Sequence, residues 1–313
     1  MTAEHSCVVA MDVGGTSIKG AVLRPDGTTA LAHRRPTGAG RGGDATVEGI
    51  LSFAAELMTK ASARIGVRPS AVGVAVPGVV DEATGTAVYA ANLDLRHVPL
   101  ARLLADRLGL PAAVGHDVRA GGLAEARLGA GRGSDCFLFL PIGTGIAGAL
   151  VRDGRAYAGS HSRAVEIGHV VVRPVGPRCG CGAYGCLEAV ASAAAIARSY
   201  TRTAREPSAT AADVGERAAA GDKIAARIWS DAVTALADGV TICVTLLDPE
   251  RIAVGGGLAR AGERLLRPLR EAVAGRLTFQ VMPDIVAAGL GDEAGCLGAG
   301  LLAWDLVDEE DET

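Results

Sequence analysis

The run from Glu166 to Glu188, EIGHVVVRPVGPRCGCGAYGCLE, constrains this chain more than any other stretch. Within it His169, Cys179, Cys181 and Cys186 are spaced H-x9-C-x-C-x4-C, a Cys3His set suited to tetrahedral zinc. The interleaved glycines let the backbone fold tightly around an ion. With all four positions filled by protein, the expected zinc is structural, because a catalytic ion keeps one position open for water or substrate. The alternative is a set of ordinary buried thiols, but three cysteines within eight residues flanked by glycine are poor core material. Glu166 stands three residues before the histidine and Glu188 two after the last cysteine. The ion would therefore fix two carboxylates on one rigid loop, an arrangement that suits a polyol.

A second feature recurs. Cys7 to Val13 is apolar apart from Asp12, and a Gly14-Gly15-Thr16 turn and a second apolar run, Ile18 to Leu23, follow it. This predicts strand, turn, strand. Such a turn brings backbone N–H groups up to phosphate oxygens, and an acidic residue at the strand end can hold magnesium directly or through water. The residues alone also fit a plain hairpin. Their spacing excludes a Walker loop or a Rossmann fingerprint. Asp135 to Leu150, DCFLFLPIGTGIAGAL, repeats the pattern: Gly15-Thr-Ser-Ile-Lys-Gly-Ala is echoed by Gly143-Thr-Gly-Ile-Ala-Gly-Ala, which predicts two similar domains. Chance similarity between Gly/Ala-rich turns is the alternative. A third site is a strand at Arg251 to Val254 that runs through Gly255, Gly256 and Gly257 into a helix from about Ala259 to Leu277. It offers either room for a nucleotide's adenosine or α-phosphate at a helix N-terminus or simply a tight turn.

Between these landmarks, apolar periodicity predicts helices over 44–65, 99–108, 187–203 and 223–247, and a strand over 72–76 that ends in Pro77-Gly78. A loop region is expected from Val80 to Asn92, a short strand over 112–114, and a last helix over about 295–306. The strand at 112–114 leads to His116-Asp117. A carboxylate at the carboxyl end of a strand, opening into a cleft, can take the proton of an attacking hydroxyl, which makes Asp117 the candidate catalytic base. It can equally cap the helix over 118–128. The tail from Asp308 to Glu312 reads as a solvated acidic run.

Glu166-x-Gly168-His169 followed by Cys179-Gly-Cys-Gly-x-x-Gly-Cys-x-Glu188 resembles the signature of the ROK family of sugar kinases and sugar-responsive repressors, and the turn after Asp12 matches the DxGGTxxxxG phosphate turn of that family and of the wider actin-like ATPases. The resemblance extends over nearly the whole chain, and its nearest match is to the family's bacterial glucokinases. It implies an α/β protein of two-domain actin-like (ribonuclease H-like) ATPase fold with an interdomain cleft. The first domain would be residues 1–122 completed by 295–313, and the second, carrying the zinc loop, 123–294. The implied reaction moves the γ-phosphoryl group of ATP to a hexose hydroxyl, foremost glucose to glucose 6-phosphate. Kinases for N-acetylmannosamine, mannose, fructose or allose, or a non-catalytic sugar-sensing regulator, are the alternatives.

In that reading Asp117 is the base, while Gly78, Asn92, His116, Glu166, His169 and Glu188 lie against the sugar. Asp12, Gly14, Gly15, Thr16, Lys19, Gly143, Thr144, Gly145, Gly256 and Gly257 serve the nucleotide, its phosphates and magnesium. His169, Cys179, Cys181 and Cys186 hold zinc, and the family implies a homodimer or higher homo-oligomer. The chain departs from the family at His116, where Asn usually precedes the catalytic Asp.

Composition narrows the rivals. A net charge of -4 and 3% aromatic residues give no footprint for nucleic acid. Only eleven residues precede Asp12, so the repressors' winged helix-turn-helix is not expected. No apolar run is expected to approach membrane-spanning length and no signal core is read at the N-terminus. Of seven cysteines, Cys7, Cys136, Cys243 and Cys296 lie in apolar runs. Buried thiols in a reducing compartment, the cytoplasm, are expected.

Overall fold

The computed structural model describes residues 6–206 and 209–311. The chain forms two compact units: the first takes residues up to Ala124, Ala156–Ala164 and those from Asp292 onward, the second Glu125–Arg155 and Val165–Gly291. Residues 1–5 at the N-terminus and Glu312 of the acidic run lie outside the described residues.

In the first unit, β1 (Val8–Val13), β2 (Ser17–Leu23), β3 (Thr29–Pro36), α1 (Gly43–Ile65), β4 (Val72–Val76), β5 (Val79–Asp81), β6 (Thr86–Ala90), β7 (Leu95–Val98), α2 (Leu100–Leu108), β8 (Ala112–His116) and the start of α3 (Asp117–Leu128) follow in order. Its main sheet runs β3-β2-β1-β4-β8. β1 pairs antiparallel with β2, Asp12 opposite Lys19, and parallel with β4. Because strand side chains alternate faces, Val9, Met11 and Val13 meet Phe53 and Leu57 of α1, whereas Val8 and Ala10 point to the other face. There they meet Ala299 and Ala303 of the last helix, α10 (Ala294–Asp311). A Cβ at Gly73 would strike the backbone of Ala299, and one at Gly298 the backbone of Ala120, so glycine is what lets helix and sheet approach this closely.

The expected loop from Val80 to Asn92 is corrected by the structure. Strands β5, β6 and β7 form a separate three-stranded antiparallel sheet there. These strands are three to five residues long, too short to give a periodic signal.

The second unit contains β9 (Cys136–Pro141), β10 (Ala149–Arg152), β11 (Arg155–Ala156), α4 (Leu187–Ala191), α5 (Ala193–Ala204), α6 (Ala211–Ala219), α7 (Lys223–Leu247), β12 (Arg251–Gly255), α8 (Gly256–Ala259), α9 (Glu263–Ala274) and β13 (Asp284–Ala287). Its sheet runs β11-β10-β9-β12-β13. β9 is antiparallel to β10 and parallel to β12, and β12 is parallel to β13. In pairing and direction β9, β10, β12 and β13 repeat β1, β2, β4 and β8. The sequence echo therefore reflects a duplicated sheet topology.

Two expected helices are divided. The run 187–203 breaks at Ser192, whose buried side chain accepts from Ala195 N at 3.1 Å and starts α5 afresh. The run 259–277 becomes α8 and α9, interrupted by Gly262 at φ 58. Helix α7 also corrects the expectation that no apolar run nears membrane-spanning length, since it is long and apolar enough by length and composition. Its Trp229, Leu236 and Val240 instead belong to the second unit's core, together with Leu138, Leu187 and Leu269.

Candidate active site

The two units each bring a set of functional groups together. In the first, Asp12 ends β1, and Gly14 N–H donates to Ser17 O at 3.0 Å to close the turn. The Gly14 donor is thus consumed by the hairpin, leaving the N–H groups of Gly15 and Thr16 as those that can face an anion. Buried Thr37 holds the turn from behind, its hydroxyl donating to Gly14 O at 2.6 Å and its N–H to Thr16 O at 3.1 Å. Lys19 Nζ lies 3.8 Å from Asp12 Oδ2 and donates to Asp292 O at 2.5 Å. Burial pushes Asp12 up to about 6 against the pull of Lys19, and Asp117 and Glu293 push the same way. Lys19 and Arg34 pull the other way without overcoming burial, so Asp12 stays raised, and a divalent cation there would favour its ionised form.

Asp117 opens α3 at the carboxyl end of β8. Its Oδ1 accepts from Val118 N at 2.7 Å and lies 3.3 Å from His116 Nε2. The first bond is to the neighbouring N–H at the start of α3 rather than to the second or third helical N–H that a cap would engage, and it leaves Oδ2 for a substrate proton. Burial raises the pKa of Asp117 above the ordinary carboxylate value, moving it toward what a base needs near neutral pH. His116 is buried, 9% exposed, with its N–H held by Glu82 Oε1 at 3.1 Å. The same oxygen accepts from Arg119 Nε at 2.8 Å. Arg119, 3% exposed, also donates to Val80 O and Ser162 O. Nothing in the sequence points to Glu82 or Arg119, because a part-buried ion pair joining a short strand's end to a helix leaves no spacing signal.

Asn92 lies in a 3-10 turn over Ala91–Leu93, exposed, with its Cβ where a side chain on Gly15 would reach it at 3.5 Å. Gly78 adopts φ 98, and a Cβ there would collide with the backbone of Tyr89 and Ala90, so the turn after β4 requires glycine.

In the second unit, the turn between β9 and β10 is closed by Gly143 N–H donating to Gly145 O at 2.9 Å, leaving the N–H groups of Thr144 and Gly145 for an anion. Glu188 is tied to this turn, because its Oε2 accepts from Ile146 N at 3.1 Å. A Cβ on Gly145 would overlap that carboxylate. One oxygen of the expected sugar ligand is therefore a brace, with Oε1 left for a hydroxyl. Gly256, at φ 75, sits against the backbone of Ile142, while Gly257 faces open space. The glycine run after β12 thus lies against the phosphate turn, and Leu258 N donates to Ile142 O at 3.0 Å.

Glu166 and His169 are exposed and bracket a 3-10 turn over Ile167–His169. Val165, just before it, is held at φ 62, a left-handed backbone that costs a β-branched residue about 1–3 kcal/mol and recurs at functional sites. The metal set is assembled. One ligand atom from each of His169, Cys179, Cys181 and Cys186 lies within 4.8 Å of all the others. Cys179 Sγ is 3.7 Å from His169 Nδ1 and Cys181 Sγ 3.7 Å from Cys186 Sγ, close to the edge of about 3.8 Å that Zn–S bonds of about 2.3 Å require of a tetrahedron. The knuckle is shaped by Cys179 N donating to Ala183 O at 2.8 Å and by Gly182 at φ 97. The donor set fits zinc.

A sequence model of the ROK family matches residues 8–305. A glucokinase from Thermotoga maritima is 35% identical over 96% of this chain and 98% of its own. The crystal structure of a ROK hexokinase from Thermus thermophilus superposes with a TM-score of 0.85 at 34% identity, covering 97% of this chain and 99% of that one. A ROK family glucokinase from Streptomyces griseus, solved in complex with glucose and AMPPNP, gives 0.79 at 30% identity, covering 96% and 99%.

Proposed function

Because this chain belongs to the ROK family and carries its actin-like fold, we propose that it is an ATP-dependent hexose kinase, with glucose as the foremost acceptor. The observation that carries this reading is Asp117: a carboxylate at a strand's carboxyl end, raised by burial, with one oxygen engaged by backbone and His116 and the other left for a proton. Similarity over nearly the full length to a glucokinase solved with glucose and an ATP analogue supports the acceptor and the donor.

In the proposed step Asp117 Oδ2 accepts the proton of the attacking sugar hydroxyl. The hydroxyl oxygen bonds to the γ-phosphorus, the bond to the bridging oxygen breaks, and ADP leaves. Asn92, Glu166, Glu188 Oε1 and the turn at Gly78 orient the sugar, while His116 reaches it indirectly by holding Asp117. Backbone N–H groups at Gly15, Thr16, Thr144 and Gly145 receive phosphate oxygens, Lys19 adds positive charge, and the Gly256-Gly257 turn leaves room for the nucleoside end. Magnesium arriving with ATP would be held by Asp12, where it would neutralise phosphate charge. Zinc on His169, Cys179, Cys181 and Cys186 would be structural, fixing the loop that carries Glu166 and Glu188. We place the enzyme in the cytoplasm, in keeping with seven free cysteines, and expect it to self-associate as a homodimer.

A coupled assay of ADP release with ATP and magnesium over glucose, mannose, fructose, allose and N-acetylmannosamine tests the function. Turnover with glucose at the lowest KM is expected, and no sugar-dependent ADP release with any of them would overturn it.

A further inference from the structure

We propose that the second unit carries a separate site for a phosphate monoester of sugar size, built by Arg178, Arg198 and Arg202. These arginines line a cavity of about 510 Å³. Arg198 and Arg202 stand one turn apart on α5, and Arg178 reaches the cavity from the loop before the metal knuckle. Among the described residues, none of the three guanidinium groups has a hydrogen-bond or ion-pair partner. Like charges four apart on a helix are mildly destabilising, so their pairing here asks for a reason. Arg202 lies in the last turn of α5, where the helix dipole favours a cation, but that accounts for neither Arg198 nor Arg178.

The only carboxylate on the wall is Asp231, which is already shared with Arg227 at 3.9 Å. Three guanidinium groups against one half-engaged carboxylate leave the cavity positive in a chain whose net charge is -4. Guanidinium matches phosphate oxygens two at a time, and Ser199 between the two helical arginines adds a hydroxyl donor. The floor is apolar, with Val190, Ala195, Ile228 and Ala232. A cavity of this volume is far larger than a bare phosphate and lies in the range of organic ligands. Its chemistry therefore selects a dianion on a compact organic body.

The walls give the site a consequence. Arg178 directly precedes the metal ligand Cys179, and Ala189 and Val190 directly follow Glu188 on α4. An occupant that draws Arg178 toward α5 would shift the loop and helix from which the acceptor sugar is held, so it should change the KM for sugar. This coupling rests on the function proposed above, whereas binding at the site does not.

The test is calorimetric titration of glucose 6-phosphate and, separately, inorganic phosphate into the zinc-loaded protein with glucose and AMPPNP saturating the catalytic site. The comparison is Arg198→Ala/Arg202→Ala, two exposed helical positions that tolerate alanine. The expected result is one equivalent of glucose 6-phosphate bound by the wild type and at least about tenfold weaker binding by the variant. Inorganic phosphate should bind more weakly than the ester in both proteins, and equal or tighter binding would make this a free-phosphate site and overturn the assignment to an ester. Indistinguishable affinity in wild type and variant, or no binding of either probe by the wild type, would overturn the site itself. Glucose KM should shift with added inorganic phosphate or glucose 6-phosphate in the wild type and not in the variant, after correction for product inhibition. Binding without that difference would overturn the coupling. A protein that binds glucose 6-phosphate through these arginines yet lacks kinase activity would sink the proposed function and leave the site standing.

Discussion

His116 Nε2 lies 3.3 Å from Asp117 Oδ1, so the residue before the proposed base touches its carboxylate from a buried position. Imidazole in that place can donate to the carboxylate in either charge state, and the protonated form adds a full positive charge that stabilises the anion further. That makes the pair sensitive to pH in a way an amide would not be. The charged groups around it are Glu82 on the backbone N–H, Arg119 beyond Glu82, and Asp12 in electrostatic reach of Asp117.

His116→Asn should therefore change the acid side of the kcat/KM profile more than the activity at pH 8. Asp117, raised by burial, and Asp12 both take up protons as pH falls, and replacing the side chain that touches Asp117 Oδ1 should move the acid limb of the variant along the pH axis relative to the wild type. Superimposable profiles would separate His116 from the chemistry.

Asp117→Asn should preserve the fold and sugar affinity and lower kcat by about 10² to 10⁴, the contribution of a general base. Single-turnover kinetics with pre-bound glucose isolates the chemical step, and turnover near that of the wild type would mean another group takes the proton.

Asp12 makes a prediction about stability. Its folded pKa of about 6 lies above the ordinary 3.8, so in magnesium-free protein its stabilising contribution is complete below 3.8 and is lost as pH rises through about 6. Ionised Asp12 then costs at most about 3 kcal/mol at pH 8, an upper bound because the side chain is one-fifth exposed. Asp12→Asn should raise the melting temperature at pH 8 without magnesium and have little effect at pH 4, while abolishing the stabilisation that magnesium gives the wild type. Thermal melts of both proteins across pH decide it.

Purified protein should carry about one zinc per chain, and Cys181→Ser should lose the metal, melt at lower temperature and bind glucose more weakly, because knuckle order and carboxylate placement are one property. Elemental analysis that finds active enzyme without zinc would refute this.

Gly145→Ala asks whether the brace between the second glycine turn and Glu188 matters. The new methyl would displace the Glu188 carboxylate rather than any backbone, so folding should be spared. Glucose KM is expected to rise by about tenfold or more as the carboxylate's hydrogen bonds are lost. A KM unchanged within error would mean that Glu188 holds no sugar.

What the sequence made legible was local. The metal ligands, the two glycine turns and Asp117 each sit within a few residues of the features that identify them. What it hid was either long-range or very short. Glu82 and Arg119 are brought together across 37 positions by a small sheet whose strands carry no periodicity. Ser192 divides one apolar helical pattern because a buried hydroxyl, not a change of pattern, restarts the helix. Which N–H groups in the glycine turns are already spent depends on hydrogen bonds such as Gly14 to Ser17, and glycine spacing cannot distinguish a donor used by the turn from one left for phosphate.

Helix α10 covers the face of the first unit's sheet that carries Val8, Ala10 and Ala75, and it does so at backbone contact. On the ribosome that face is made early and its cover late, with roughly 170 residues of translation between Ala124 and Asp292. At about 5 to 20 residues per second the uncovered strands wait roughly 10 to 30 s. The second unit's long internal stretch is complete by then, so the nascent chain finishes its later-begun half first. During that interval the face carrying Val8, Ala10 and Ala75 is an apolar sheet surface without its cover, the kind of transient exposure that invites aggregation.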